Sequence, residues 1–271
     1  MKRLLIVVVM AAVFALALAG CAGNGTDEQT VSGNEAETKR TFQGNGTETG
    51  QTVTGSGTKT ERPIPAETPE PETLAVIAES ADKTVSVLAA SPAPENGMFD
   101  GMTVRIGEQS KRFEWKNVTN PTYFPRVWTV NLDADPDEET VIVLTTGYGT
   151  GVYENRIHVL KRDFREIPVE DAIAKVRELA VTRAQTGPDS RKFSLELGGE
   201  MHTFTYDEDG AGFWFDDIVF GNAIDYKVED GTIVAEVSVQ VSPGEFPGIV
   251  VCPYAGRDGK LEVSGAKFVS Y

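Results

Sequence analysis

Cysteine and histidine are nearly missing from this 271-residue chain, with two of each. That excludes a disulfide-stapled scaffold and any Cys/His zinc cluster of ordinary ligand count. Basic residues are scarce as well: 25 Lys and Arg stand against 41 Asp and Glu, for a formal charge of −16. A nucleic-acid binder needs a basic face for phosphate, so that class is excluded, as is adhesion to anionic lipid through a polybasic patch. No Gly-x-Ser-x-Gly elbow and no His-Glu-x-x-His motif occurs, which removes the commonest serine-hydrolase and metalloprotease signatures. The length allows one or two domains.

What the chain does have begins at its N-terminus. Met1-Lys2-Arg3 supplies two positive charges, and Leu4 to Leu18 is an unbroken apolar run of 15 residues. This is the n-region and h-region of a signal peptide over residues 1–20, and it is shorter than the roughly 20 residues a spanning helix requires. Leu18-Ala19-Gly20-Cys21 follows. That tetrapeptide resembles the lipobox of bacterial lipoproteins at all four positions. The resemblance implies that Cys21 carries a diacylglycerol thioether and becomes the mature N-terminus, anchoring the protein on the extracytoplasmic face of the cell membrane. Two or three acyl chains hold firmly where one binds only marginally. With Cys21 acylated, Cys252 has no intramolecular partner, and its strand-like surroundings, Ile249 to Tyr254, cast it as a small buried hydrophobe.

Residues 21–72 shift abruptly to Gly, Thr, Glu and Asn, and end in a Pro-rich stretch from Arg62 to Pro71. Between Ala22 and Glu72 nine acidic residues oppose four basic ones, a net of −5. Such a segment cannot bury enough apolar surface to offset its ordering entropy, so the composition predicts a disordered tether with an r.m.s. reach of about 40 Å.

From about Thr73 onward the pattern is one of alternation and β-branched residues, which predicts a mainly β (α+β), antiparallel domain. Strands are expected near Thr84–Leu88, Met102–Ile106, Arg112–Trp115, Val127–Leu132, Thr140–Thr145, Arg156–Leu160, Lys192–Leu197, Thr203–Tyr206, Ala223–Val228, Ile233–Val241, Gly248–Pro253 and Lys260–Val269. One helix is expected, from Pro168 to about Ala184, with Pro168 in its first turn and Gly187-Pro188 as its stop. Val104 to Trp115 aligns without gaps on Leu195 to Tyr206, each a strand, a Gly-containing turn and a strand ending aromatic-x-aromatic. The pattern therefore divides the folded part into two similar β modules, 73–185 and 186–271, joined by the helix.

The most pointed local feature is Asn131-Leu132-Asp133-Ala134-Asp135-Pro136-Asp137-Glu138-Glu139, running into the apolar Val141 to Leu144. Oxygen ligands at every second position are what a hard cation such as Ca²⁺ requires. The stretch resembles the acidic loop of FG-GAP and VCBS repeats, a resemblance that implies Asn131, Asp133, Asp135, Asp137 and Glu139 as calcium ligands. Asn131 replaces the leading Asp of that pattern, and Pro136 takes the place of its Gly, where a positive φ is often needed and Pro is locked near −65°. The other reading of the loop is a solvated acidic turn. The Gly-x-Gly-x-Gly of Gly147 to Gly151 is followed by a strand, not by the helix a dinucleotide fingerprint needs, so it reads as a turn. Asn117 to Tyr123, the acidic loop with its strand, and Asn222 to Ser242 resemble a group of lipoproteins from Bacillus- and Paenibacillus-type bacteria, a resemblance that implies envelope location and no particular activity.

Function follows from location more than from any motif. The reading is a lipid-anchored surface protein with a non-catalytic binding or envelope-associated role, whose partners beyond the membrane are a cell-wall glycan or an envelope protein. Trp128, Tyr148 and Trp214 are the candidate ligand-stacking aromatics. The alternative is an extracytoplasmic hydrolase of glycan or peptide, using paired carboxylates such as Asp207 with Asp209 or Asp216 with Asp217.

Overall fold

The computed structural model describes residues 73–133 and 136–271, all within the second of two compact units, Ala66–Tyr271. The signal peptide, Cys21 and the tether lie outside the described residues, as does Asp135.

The alternating pattern builds an antiparallel, mainly β architecture. Four strands, β1 (Leu74–Glu79), β2 (Val85–Ala90), β3 (Met98–Ile106) and β4 (Gln109–Val118), form a meander. After a single 3-10 turn at Pro121–Tyr123 come β5 (Arg126–Val130), β6 (Glu139–Gly149) and β7 (Val152–Leu160), a second meander. A two-residue strand β8 (Glu166–Ile167) and one helix, α1 (Ala172–Leu179), lead to β9 (Val181–Thr186), β10 (Ser190–Leu197) and β11 (Glu200–Asp207), which make a three-stranded sheet. A 3-10 turn at Glu208–Gly210 then precedes β12 (Val219–Glu229), β13 (Thr232–Gln240), β14 (Gly248–Arg257), β15 (Lys260–Val263) and β16 (Lys267–Ser270). The large sheet runs β15-β14-β13-β12-β7-β6-β5, with β8 beside β7 and β16 beside β14.

The order of elements repeats. Ile106 pairs with Gln109 around Gly107-Glu108, and Leu197 pairs with Glu200 around Gly198-Gly199, so the two hairpins share the register in which their sequences align. Gly107 and Gly198 both hold positive φ, 59° and 61°, as a two-residue hairpin turn requires. Each hairpin is followed by a 3-10 turn and by three antiparallel strands of the large sheet. The two segments share that sheet, because β7 pairs in parallel with β12 at Tyr153 and Ala223.

Two hydrophobic cores result. Val87, Phe99, Met102 and Val104 of the first meander pack with Ile142, Leu144 and Leu160. Phe193, Leu195 and Leu197 pack with Val237, Val239, Val250 and Trp214, with Ala172 and Val176 of the helix against them. Strand β6 serves both: Ile142 and Leu144 enter one core, Val141 and Val143 the other. Burial on both faces is why this stretch reads as a continuous apolar run and does not alternate.

The helix is shorter than the sequence predicts, because capping and sheet pairing override propensity at its two ends. Asp171 caps it, accepting from the backbone N–H groups of Ile173 and Ala174. Pro168 lies before this cap, and its carbonyl accepts from the N–H of Leu261. Residues expected at its C-terminal end instead form β9, where Val181 pairs with Glu196 and Thr186 with Arg191. Val181 and Thr182 are β-branched and fit a pleated edge better than a helix end. Among the described residues no helix is long and apolar enough to cross a membrane.

Candidate binding cleft

Strand β7 has β6 along one side, but its other side is shared. Near Tyr153 its neighbour is β12; at Val159 and Leu160 it is β8. Between these points the two neighbours diverge and a cleft of about 510 Å³ opens. Successive odd and even residues of a strand face opposite ways, so Glu154, Arg156 and His158 share one side of β7. All three line the cleft, as do Asn155 and Ile157 from the other side of the strand, together with Glu166, Glu170 and Asp171 from the segment leading into α1, and Ile224 and Tyr226 from β12.

Where the β7/β12 backbone ladder is reduced to one pair, side chains hold the seam. Buried Asn155 donates through Nδ2 to the Ile224 carbonyl at 2.9 Å and to Asp225 Oδ1 at 3.0 Å, and accepts from the Thr145 hydroxyl at 2.9 Å. Arg126 of β5 forms an ion pair with the same Asp225.

Three of the four carboxylates lining the cleft are committed, Glu154 on the rim being the exception. Glu166 Oε1 lies 2.6 Å from His158 Nδ1, Glu170 Oε2 accepts from the Val263 N–H at 2.8 Å, and Asp171 caps the helix. The His158 ring stacks on Trp115 of β4 at 3.9 Å, and Trp115 on Phe113 at 4.1 Å. Burial lowers the His158 pKa below its ordinary value, and Arg156 adds to the effect while Glu166 opposes it, so the ring is neutral at pH 7. The Tyr226 hydroxyl is pushed up to about 12 by burial and remains protonated. Arg156 is exposed at the mouth and makes no ion pair with a described residue. What converges is one guanidinium, a neutral imidazole, a phenol and several carboxylates on an apolar floor.

The acidic loop lies elsewhere, between β5 and β6, and has a cation of its own. Lys161 Nζ is 2.6 Å from Glu139 Oε1 and 2.7 Å from Asp133 Oδ2. The other oxygen of Glu139, a fully buried residue, accepts from the Leu132 N–H at 2.7 Å. Asn131 and Asp137 are exposed. No group of three or more His, Cys, Asp or Glu suited to a metal ion occurs among the described residues. As placed, Asp133 and Glu139 hold the Lys161 ammonium between them, while Asp135, a central ligand of the calcium reading, lies outside the described residues.

The three candidate aromatics do not form one platform. Trp214 is only 5% exposed; its indole N–H donates to the Glu208 carbonyl at 2.8 Å, and it packs on Tyr206 and Phe193. It belongs to the core, since aromatics here fill the space between sheets. Trp128 is half-buried beneath the Arg126 guanidinium. Tyr148 is 46% exposed, lies against Tyr123 with ring centroids 4.2 Å apart and planes tilted by 30°, and accepts from Asn120. Trp128 pairs with Val141, so Tyr148 lies seven residues further along β6, roughly 23 Å away. Of the carboxylate pairs, Asp217 is held by the Ile218 N–H and the Thr182 hydroxyl. Arg156, Glu166 and Tyr226 carry no motif; the polar run Glu154-Asn155-Arg156 followed by His158, inside a strand that ends in Val159-Leu160, is the one signal that pointed to β7. Comparison with family models, curated proteins and solved structures finds no match to this chain.

Proposed function

We propose that this chain is a lipid-anchored protein of the extracytoplasmic face that binds a ligand in the cleft beside β7 without transforming it. The lipobox at Leu18 to Cys21 supports the anchor. The observation that carries the binding role is the cleft itself: a concave site with an apolar floor and a few convergent polar groups is the usual form of a ligand pocket. Hydrolysis is less well supported. A carboxylate-pair hydrolase needs two carboxyls free to act as acid and base, whereas Glu166 is engaged by His158, Glu170 by the Val263 N–H and Asp171 by the first turn of α1.

Trp115 reports on the site through its stack on His158. The full acylated chain in detergent, titrated with a soluble cell-wall digest, is expected to show a saturable change in tryptophan fluorescence that Trp115→Phe abolishes. A flat titration, or a change that survives Trp115→Phe, overturns binding in the cleft. For the anchor, Cys21→Ala is expected to move the protein from the membrane fraction to the soluble one, and unchanged partition refutes acylation there.

A further inference from the structure

We infer that the cleft takes a small zwitterion of the amino-acid or short-peptide class, its carboxylate on Arg156 and its ammonium toward the acidic side of the site; this rests on the reading that the cleft binds a ligand. Arg156 is the starting point. Glu166 is engaged by His158, Glu170 by the Val263 N–H, and Asp171 by the first turn of α1, yet the guanidinium beside them has no carboxylate within 4.0 Å among the described residues. Its donors form a planar fork matched to a carboxylate, and they are the uncommitted strong donors of the lining. His158 adds no positive charge at neutral pH, since burial keeps it deprotonated.

A simple anion is nonetheless a poor fit. Glu154, Glu166, Glu170 and Asp171 outnumber the guanidinium of the lining even with Glu170 offset by Lys175 at 4.0 Å, so the site as a whole disfavours a lone anion and favours a ligand that brings a positive group as well. Glu154, exposed on the rim two residues from Arg156 and on the same side of β7, is placed to receive an ammonium. The floor of Ile167, Ile173 and Ile224 suits small aliphatic side chains, and about 510 Å³ holds two residues.

Three dipeptides test each charge separately: dialanine carries both, N-acetyl-dialanine only the carboxylate, dialanine amide only the ammonium. Titrated into the full acylated chain in detergent by calorimetry, dialanine is expected to bind saturably and each capped form roughly tenfold or more weakly, with Arg156→Gln reducing dialanine to the level of its amide. No saturable binding of dialanine, or equal binding of all three, overturns the inference. Glu154→Trp fills the mouth from an exposed position and separates the two levels of failure. Binding lost in Glu154→Trp but intact in Arg156→Gln leaves the cleft as the site and refutes the carboxylate pairing; binding intact in both refutes the cleft.

Discussion

Replacing Lys161 by Met isolates Glu139, the fully buried carboxylate among the described residues of the acidic loop. Glu139 is 0% exposed, with Oε1 at 2.6 Å from the lysine ammonium and Oε2 at 2.7 Å from the Leu132 N–H. Methionine keeps the length and apolar stem of lysine and removes the charge, so the substitution leaves a buried carboxylate with one neutral donor. Breaking a buried pair from one side costs about 3–5 kcal/mol. A domain of this size shifts by about 2–4 °C per kcal/mol, so the unfolding midpoint should fall by roughly 6–20 °C. The double variant Glu139→Gln/Lys161→Met should recover most of that loss, because the amide oxygen still accepts from Leu132 and no charge is stranded. Circular dichroism melts of the wild type, both variants and the wild type with millimolar Ca²⁺ complete the test. Calcium should leave the wild-type midpoint where it is, since a divalent ion would have to displace the ammonium. A loss under about 1 kcal/mol in Lys161→Met, or a calcium-dependent rise in the wild type, would refute the idea that lysine is the loop's cation.

Three further outcomes follow from the same geometry. Cys252 is fully buried and its thiol is pushed up to about 12, so in the folded protein it should resist alkylation at neutral pH and react at the rate of unfolding; fast labelling of native protein would contradict this. Burial holds the His158 pKa below its unfolded value near 6.5, so the unfolded chain takes up the proton first. Its contribution to stability is therefore complete above pH 6.5 and declines as pH falls toward the folded-state pKa, and His158→Gln should flatten that part of the stability profile; an unchanged slope in the variant speaks against it. Asn155→Ala strands the Thr145 hydroxyl and removes two bonds to β12, a loss of about 2–3 kcal/mol by chemical denaturation, where a value near zero would mean that the seam does not depend on this side chain.

Much of the fold was legible because period-two alternation is a local signal. The two aligned hairpins were readable down to their register, since Gly107 and Gly198 mark equivalent turns. Strand β1 was missed because it follows directly on the Pro-rich stretch, and its own residues, Leu74 to Glu79, are only half-buried or exposed. The long helix failed for the opposite reason: the stretch after Leu179 has a helical apolar spacing that pairing with β10 overrides. Trp214 shows why aromatic content alone does not locate a surface. Nothing in Phe213-Trp214-Phe215 says which ring turns inward, and it is the middle one that is 5% exposed while Phe213 is 63% exposed.

The partner of Glu139 was, by contrast, within reach of the sequence. Once Thr140 is set opposite Leu160 in the β6/β7 hairpin, antiparallel pairing brings Glu139 and Lys161 opposite one another at the next step. A carboxylate at the last position of a calcium-like loop, facing a lysine across a hairpin, is a different chemical object from the same carboxylate facing water. Spacing along one strand supplies candidate ligands, but the residue across the ladder decides whether a metal has room. The cleft lies at the other extreme. Glu154 to His158 and Glu166 to Asp171 are near in sequence, but Tyr226 arrives from a strand of the second segment, and the opening exists only because β7 changes neighbours between Tyr153 and Val159. That is a property of how the two segments share one sheet, and no residue pattern within either segment encodes it.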